Sequence, residues 1–479
     1  MPWMSRELEM DRRGALSRIA EIVGPGGLVA DAEADRYLVD ERGLYRGSAA
    51  LIVRPKTVDE CSQILRVCHG AGIGVVPQGG NSGYCGGATP FDSERQILLS
   101  TSRLNRIREI DPVGFTLTAE AGVVLANAQA AAAEHALLFP LSMGSEGSCQ
   151  LGGNLSTNAG GLAVLRYGTM RDLVLGLEVV LPNGDVLSEL KGLRKDNTGY
   201  DLKALFLGAE GTLGLITAAV LKLFPEPRVR RTAWLAVAGP GAACALLGRA
   251  RRASGDQVVS AEYVSRPSLE LVLQHVDGAR DALDRPHEHY MLIELASADD
   301  EAVLREKLER ILETGVEAGE IVDGVVAESG PQRDALWLLR ERVPEAERRA
   351  GGSVKHDISV RISAVPEFLE RAAPALAAIA PHRPSIYGHI GDGNLHYNLL
   401  PPPGVGIDAF RDAYGQTLSR CVHDLAVGLG GSFSAEHGVG ILKTSDLARY
   451  ESPEALRLMR VLKKALDPKG IMNPGKVLG

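Results

Sequence analysis

Between Gly72 and Gly214 the chain carries 23 glycines in 143 residues, about 16% where ordinary domains have ~7%. No G-X-Y period runs through them and apolar stretches interrupt them, so collagen-like and low-complexity readings fail. Glycine at this density in a globular segment means backbone drawn close to something, or many residues at positive φ. A large ligand lying along the loops meets that requirement. A turn-rich β architecture meets it equally well.

Composition narrows the field. Of 479 residues, 45% are hydrophobic and 23% charged, enough for packed cores in two or three domains and too apolar for a disordered chain. The 52 Lys+Arg and 60 Asp+Glu leave a net charge of −8, against a nucleic-acid partner, which needs a basic face. No apolar run approaches the ~18 residues of a membrane span, so a soluble chain is expected. Six cysteines without a C-x-x-C pair are no disulfide framework. Cys61 and Cys68, seven apart on one helix face, read as small buried hydrophobes. Met1 to Asp11 lacks a signal peptide's apolar core and a transit peptide's acid-poor character. A cytoplasmic location is the expectation.

Four spans follow: a helical lead-in over 1–45, a glycine-dense domain over 46–227, a second domain over 228–430, and a C-terminal segment over 431–479. Thr57 and Glu60 form a capping box for a helix that buries Val58, Cys61, Ile64, Leu65 and Cys68 and ends at Gly70. A short strand, Gly74–Pro77, runs into a loop from Gln78 to Gly87. Phe115–Glu120 and Leu175–Leu181 alternate as strands, Val124–Leu138 is helical, and Pro182-Asn183-Gly184 is a turn. From about Arg228 glycine thins out and Arg/Glu-rich helices appear at 240–255, 299–315 and 334–350. A further helix, running to about Gly428, follows the Pro401–Gly404 loop.

The amides from Gly79 to Gly83 can fold into a nest for phosphate oxygens. They lack the Gly-Lys-Ser/Thr ending of a P-loop and the spacing of a Rossmann fingerprint; a hairpin turn is the plain alternative. A second amide-rich block, Gly152-Gly153-Asn154 through Gly160-Gly161, suggests a diphosphate gripped from two sides.

Pro77-Gln78-Gly79-Gly80-Asn81-Ser82-Gly83 and the second block resemble the FAD-binding half of the vanillyl-alcohol-oxidase/PCMH flavoproteins, in their D-2-hydroxyacid dehydrogenase branch. The stretches Arg194–Leu202, Gly208–Gly214 and Asp467–Lys476 resemble the D-2-hydroxyglutarate dehydrogenase family within it. The resemblance covers nearly everything after residue 40. It implies an α+β fold: a PCMH-type FAD-binding domain of two α+β subdomains, an α+β substrate cap, and a C-terminal segment returning to the FAD. It implies that FAD lies against Pro77, Gly79, Gly80, Asn81, Ser82 and Gly83, and against Gly144, Ser148, Gly152, Gly153, Asn154 and Thr157. Gly160, Gly161, Gly168, Glu210, Gly214 and Ile216 belong to the same implied set, as do Asn473 and Lys476. Many relatives bond a flavin covalently to a His beside the first loop; here that place holds Asn81, so FAD is expected to be dissociable.

Tyr387 to Asn398 carries His389 and His396, and Glu436-His437 lies forty residues beyond. Two imidazoles and a carboxylate suit a divalent metal with open positions, zinc being commonest; satisfied polar residues at a loop are the alternative. On one unbroken strand His389 and His396 point to opposite faces, because seven is odd. A turn at Gly391-Asp392-Gly393, capped by Asp392, can reset that phase. The resemblance implies His389, His396 and Glu436 as metal ligands, His437 at the reacting carbon, and Asn398 on the substrate. It further implies Arg340 and Lys355 on substrate carboxylate.

Together these imply oxidation of a D-2-hydroxy acid to the 2-oxo acid. The metal chelates hydroxyl and carboxylate, His437 takes the proton, and hydride passes to flavin N5. Two cations suit a dicarboxylate such as D-2-hydroxyglutarate. One departure stands out: Pro344 replaces the family's Thr four residues after the Arg, and a Pro there bends or restarts the helix. D-lactate, D-malate or a larger 2-hydroxy acid therefore stay open, as does a metal-independent oxidase of the same fold, or a cofactor-less scaffold. An electron-transfer flavoprotein or a quinone suits as electron acceptor, and a homodimer is the default assembly.

Overall fold

The computed structural model describes residues 11–298 and 300–479; the expectation that the extreme N-terminus carries no targeting peptide falls largely outside them. Two compact units emerge. One comprises the chain up to Gly160, Thr169–Pro225 and Glu436–Gly479; the other comprises Gly161–Gly168 and Glu226–Ala435.

In the first unit, strands Ser48–Val53, Phe91–Ser100 and Gly74–Gln78 form a parallel sheet with Phe91–Ser100 in the middle. Parallel strands need a crossover, and the helix Val58–Ala71 supplies it. Thr57 Oγ accepts from the Glu60 amide at 3.1 Å, while Glu60 reaches one residue further back than a capping box does, to the Lys56 amide at 2.8 Å. The helix outruns its predicted end at Gly70 and stops at Gly72, which takes φ +65. Cys61, Ile64, Leu65 and Cys68 are fully buried against Ile19, Val53, Val75 and Ile97, each worth roughly 1.5–3 kcal/mol for a full-sized apolar side chain. Burial pushes both thiols far up, so they stay protonated. A five-stranded antiparallel sheet follows, in the order Ile107–Asp111, Thr116–Glu120, Leu215–Lys222, Val174–Val180, Val186–Glu189. The helix expected over 124–138 is shorter, Leu125–Ala133. The C-terminal segment bridges Met472 to Val75 in parallel and is tied by Asp467 accepting from the Ile471 and Met472 amides.

The second unit is built on a seven-stranded antiparallel sheet. Its order is Ile321–Val326, Val229–Val237, His289–Ser297, Val258–Ser265, Arg383–His389, Asn394–Leu400, Asp357–Ser359. Alternation sends Ala261, Tyr263, Leu395, Tyr397 and Leu399 to one face, where helices Pro240–Ser254, Glu301–Glu317, Val365–Ala377 and Gln416–Gly428 cover them. The opposite face packs on Arg266–His275, Gly330–Glu341 and Val343–Arg349. Those last two helices are one predicted helix broken at Arg342 and restarted with Pro344 in the first turn, where its missing N–H costs nothing.

Candidate functional site

In the first unit the strand Gly74–Gln78 delivers the chain into the first glycine loop. A Cβ on Gly80 would stand 2.1 Å from the Ser148 carbonyl oxygen and 2.9 Å from Cys149 Cα; one on Gly79 would touch the Gly153 amide at 3.4 Å. The two glycine-rich stretches thus meet backbone to backbone, whereas a Cβ on Gly83, Gly144, Gly147 or Gly153 would enter open space. Asn81 sits at φ +56 and anchors the loop through Nδ2 to the Arg36 and Val39 carbonyls at 3.3 and 2.8 Å. Among the described residues no backbone carbonyl accepts from the amides of Gly80–Gly83. In the second block Gly152, Gly153 and Asn154 lie in a short helix, Leu151–Ser156, whose first two amides, of Leu151 and Gly152, donate to the Val123 and Ala121 carbonyls.

Around this cradle Thr157 Oγ1 donates to the Gly153 carbonyl and Ser148 Oγ to that of Ser145. Pro77 backs onto Gly211, Gly214 presses on Val179, and Ile216 is buried in its strand. Glu210 stands at φ +50 and spends both carboxylate oxygens on the Val439 and Gly440 amides, each at 2.7 Å. Burial raises its pKa, only partly offset by those amides. Asn473 Nδ2 donates to the Gly87 and Glu210 carbonyls, while its buried Oδ1 has no hydrogen-bond partner among the described residues. Lys476 is 4% exposed, its ammonium 4.8 Å from the Phe91 ring centroid, and burial pulls its pKa down to about 8. A lined cradle of open amides, an orphaned acceptor and a desolvated cation fit a large anionic cofactor such as FAD. The Glu436-His437 pair lies in this unit, with Tyr84 edge-on to His437 at 4.9 Å. Gly160 also lies here; Gly161 and Gly168 fall in the other unit.

In the second unit a polar row runs along the sheet face that carries Val264 and Tyr387. The Gly391–Gly393 turn makes a hairpin of the two strands, with Gly393 at φ +80 and Asp392 Oδ1 accepting from the Asn394 amide at 3.0 Å. Tyr387 thereby opposes His396, and His389 opposes Asn394, so both imidazoles share one face with ring centroids 5.8 Å apart. Glu262, opposite His389, accepts from its Nδ1 at 2.8 Å and from Arg340 Nε at 2.7 Å. Burial favours the protonated Glu262, but His389 and Arg340 outweigh it and hold the pKa below the usual range. The Arg340 guanidinium lies 4.8 Å above the Tyr387 ring; its Nη groups make no hydrogen bond to a described residue. His396 Nδ1 is 4.0 Å from Asp357 Oδ1. Asn398 donates to Glu347, as does Lys355.

Two imidazoles on one face, one of them held by a buried carboxylate at 2.8 Å, are a donor set suited to a divalent cation. Sequence reasoning missed Glu262, which holds His389, Asp357, which stands beside His396, and Glu347, which takes Lys355 and Asn398. For Glu262 the signal was there: a carboxylate flanked by Ala261 and Tyr263 in an apolar strand must find a partner.

Comparison with known proteins places this geometry. Residues 49–188 match the family model "FAD binding domain" and residues 226–477 match "FAD linked oxidases, C-terminal domain". The solved structure of p-cresol methylhydroxylase with substrate bound superposes with a TM-score of 0.73 at 16% identity, over 97% of this chain and 96% of that one. The family models thus define an FAD-linked oxidase, and its fold is shared with p-cresol methylhydroxylase. The mitochondrial D-2-hydroxyglutarate dehydrogenase of Arabidopsis thaliana is 38% identical over 97% of this chain and 81% of its own length; that of Bos taurus is 40% identical over 98% and 83%. The chain belongs to the D-2-hydroxyglutarate dehydrogenase family. The expectation of a cytoplasmic location is corrected by these relatives, which are named as mitochondrial. Cysteine usage speaks to redox chemistry and does not name a compartment. No helix among the described residues is long and apolar enough to cross a membrane.

Proposed function

We propose that the protein oxidises a D-2-hydroxy acid to the 2-oxo acid, with D-2-hydroxyglutarate as the leading substrate. The observation that carries this reading is the 38–40% identity, over nearly the whole chain, to relatives named for that substrate. Bound FAD supplies the hydride acceptor, and a divalent ion, zinc by the donor set, supplies Lewis acidity toward the substrate's hydroxyl and carboxylate. His389, His396 and Glu436 are the assigned ligands of that ion. His437 is the assigned base that accepts the hydroxyl proton, a task suited to a neutral imidazole. Arg340 pairs with substrate carboxylate: Glu262 on Nε and the Tyr387 ring beneath hold the fork flat, while its Nη edge makes no hydrogen bond to a described residue. Lys355 and Asn398 hold the remainder of the substrate. A second reading, a 2-hydroxy acid with an uncharged far end such as D-lactate, is favoured by Glu347, which already compensates Lys355.

Anaerobic mixing with D-2-hydroxyglutarate should bleach the flavin, and the L enantiomer should leave it oxidised. No bleaching with any D-2-hydroxy acid rejects the reading. Acid precipitation should release the flavin into the supernatant, because Asn81 offers no bond to it. Flavin retained in the pellet counts against a dissociable cofactor.

A further inference from the structure

Glu347, one helical turn beyond Pro344, is fully buried. Its carboxylate accepts from three side chains: Lys355 Nζ at 2.8 Å, Asn398 Nδ2 at 2.9 and 3.1 Å, and Ser353 Oγ at 3.2 Å. A buried carboxylate without a counter-charge is not tolerated, and Lys355 is the cation that answers it. The Lys355 side chain keeps 24% of its surface exposed, so one end of this pair faces outward while Glu347 stays behind it at 0%. Two of the three ammonium N–H groups have no hydrogen-bond partner among the described residues.

We infer that Glu347 is a specificity-determining residue that weakens the hold on a second substrate carboxylate. The inference rests on the proposed roles of Arg340, Lys355 and Asn398. Both cations of the substrate region are paired with a buried carboxylate of the protein, Arg340 with Glu262 and Lys355 with Glu347. Their situations differ. Arg340 gives Glu262 one N–H and has a bidentate edge left over, whereas Lys355 is a point charge whose field Glu347 cancels at 2.8 Å. A distal carboxylate arriving at Lys355 meets a neutral pair, with the glutamate's charge just beyond. A hydroxyl or amide end takes the same two N–H groups without adding a second anion. The far end of the site is thus built for a neutral hydrogen-bonding group at least as well as for a carboxylate.

The test compares D-2-hydroxyglutarate with its γ-monoamide, nearly the same shape without the distal charge, by anaerobic flavin reduction of the FAD-loaded protein. In wild type the amide should have a kcat/KM within about tenfold of the dicarboxylate or above it. Glu347→Gln should shift the ratio at least about tenfold toward the dicarboxylate, and adding Lys355→Met should abolish that gain. A merely structural defect lowers both substrates alike and leaves the ratio still. A wild type that prefers the dicarboxylate by ~100-fold, with Glu347→Gln ratios unmoved, overturns the inference and leaves the reaction standing. Should Glu347→Gln fail to fold, the wild-type comparison decides by itself. Flavin left oxidised by both acids overturns the reaction and the inference together.

Discussion

Gly80→Ala should purify almost colourless. The added Cβ would stand 2.1 Å from the Ser148 carbonyl oxygen and 2.9 Å from Cys149 Cα. Real Cβ atoms do not approach backbone so closely, and backbone cannot swing aside as the end of a long side chain can. One glycine-rich stretch must move away from the other, at the 1–3 kcal/mol typical of overpacking, and the cradle between them loses its shape. Loss of the cofactor compounds the damage, since a ligand at about 100 times its Kd contributes roughly 2.7 kcal/mol to stability. Flavin absorbance at 450 nm per mole of protein, read beside the melting temperature with and without added FAD, measures both effects. Gly70→Ala is the control. It lies inside the helix Val58–Ala71 with nothing within 4 Å of its new Cβ, and helix propensity favours it by up to about 1 kcal/mol. A Gly80→Ala protein as yellow as the control would show that the backbone-to-backbone contact does not shape the cofactor site.

The same contact explains what the sequence could convey. Glycine density announced close backbone approach but not its partner, because Gly80 and Ser148 are 68 positions apart and only the tertiary fold joins them. Local signals served well where the physics is local: Thr57 caps its helix, Cys61 and Cys68 face the core, and Pro344 restarts a helix. They failed where a distant residue finishes the job. The carboxylates that hold His389 and pair with the cations come from strands and helices far along the chain. Glu262 meets His389 across 127 residues and Glu347 meets Asn398 across 51. In one dimension each was a lone acid. The hairpin at Gly391–Gly393 was legible for the opposite reason, since its phase change depends on three adjacent residues. Compartment was illegible because thiol state reports redox, and the site residues carry no address.

His389→Ala should cost nearly all the bound metal and, with it, more than about 100-fold in flavin reduction by substrate, beyond the 10–100-fold typical of losing a partner that only orients a ligand. The ring is held from behind by Glu262 at 2.8 Å, on a carboxylate that also takes Arg340 at 2.7 Å. Removing the imidazole therefore does two things: it deletes a nitrogen donor and leaves Glu262 with Arg340 and the Ser260 hydroxyl, which donates at 3.1 Å. The second effect separates His389 from an ordinary polar residue of the sheet. Glu262→Gln should keep the imidazole but loosen it, lowering metal affinity about 10–100-fold while uncovering a buried guanidinium at a cost of about 3–5 kcal/mol. The sign of the pH dependence follows from the same carboxylate. Its folded pKa lies below the unfolded value, so its contribution is complete above the ordinary Glu range and fades as pH falls through the depressed folded value. Wild type should thus lose stability on acidification more steeply than Glu262→Gln, which has no carboxylate there to protonate. Metal content by mass spectrometry, chelator competition and melting curves from pH 3 to 7 separate these effects. If His389→Ala keeps both its full metal complement and its activity, the imidazole belongs to the sheet and not to the metal.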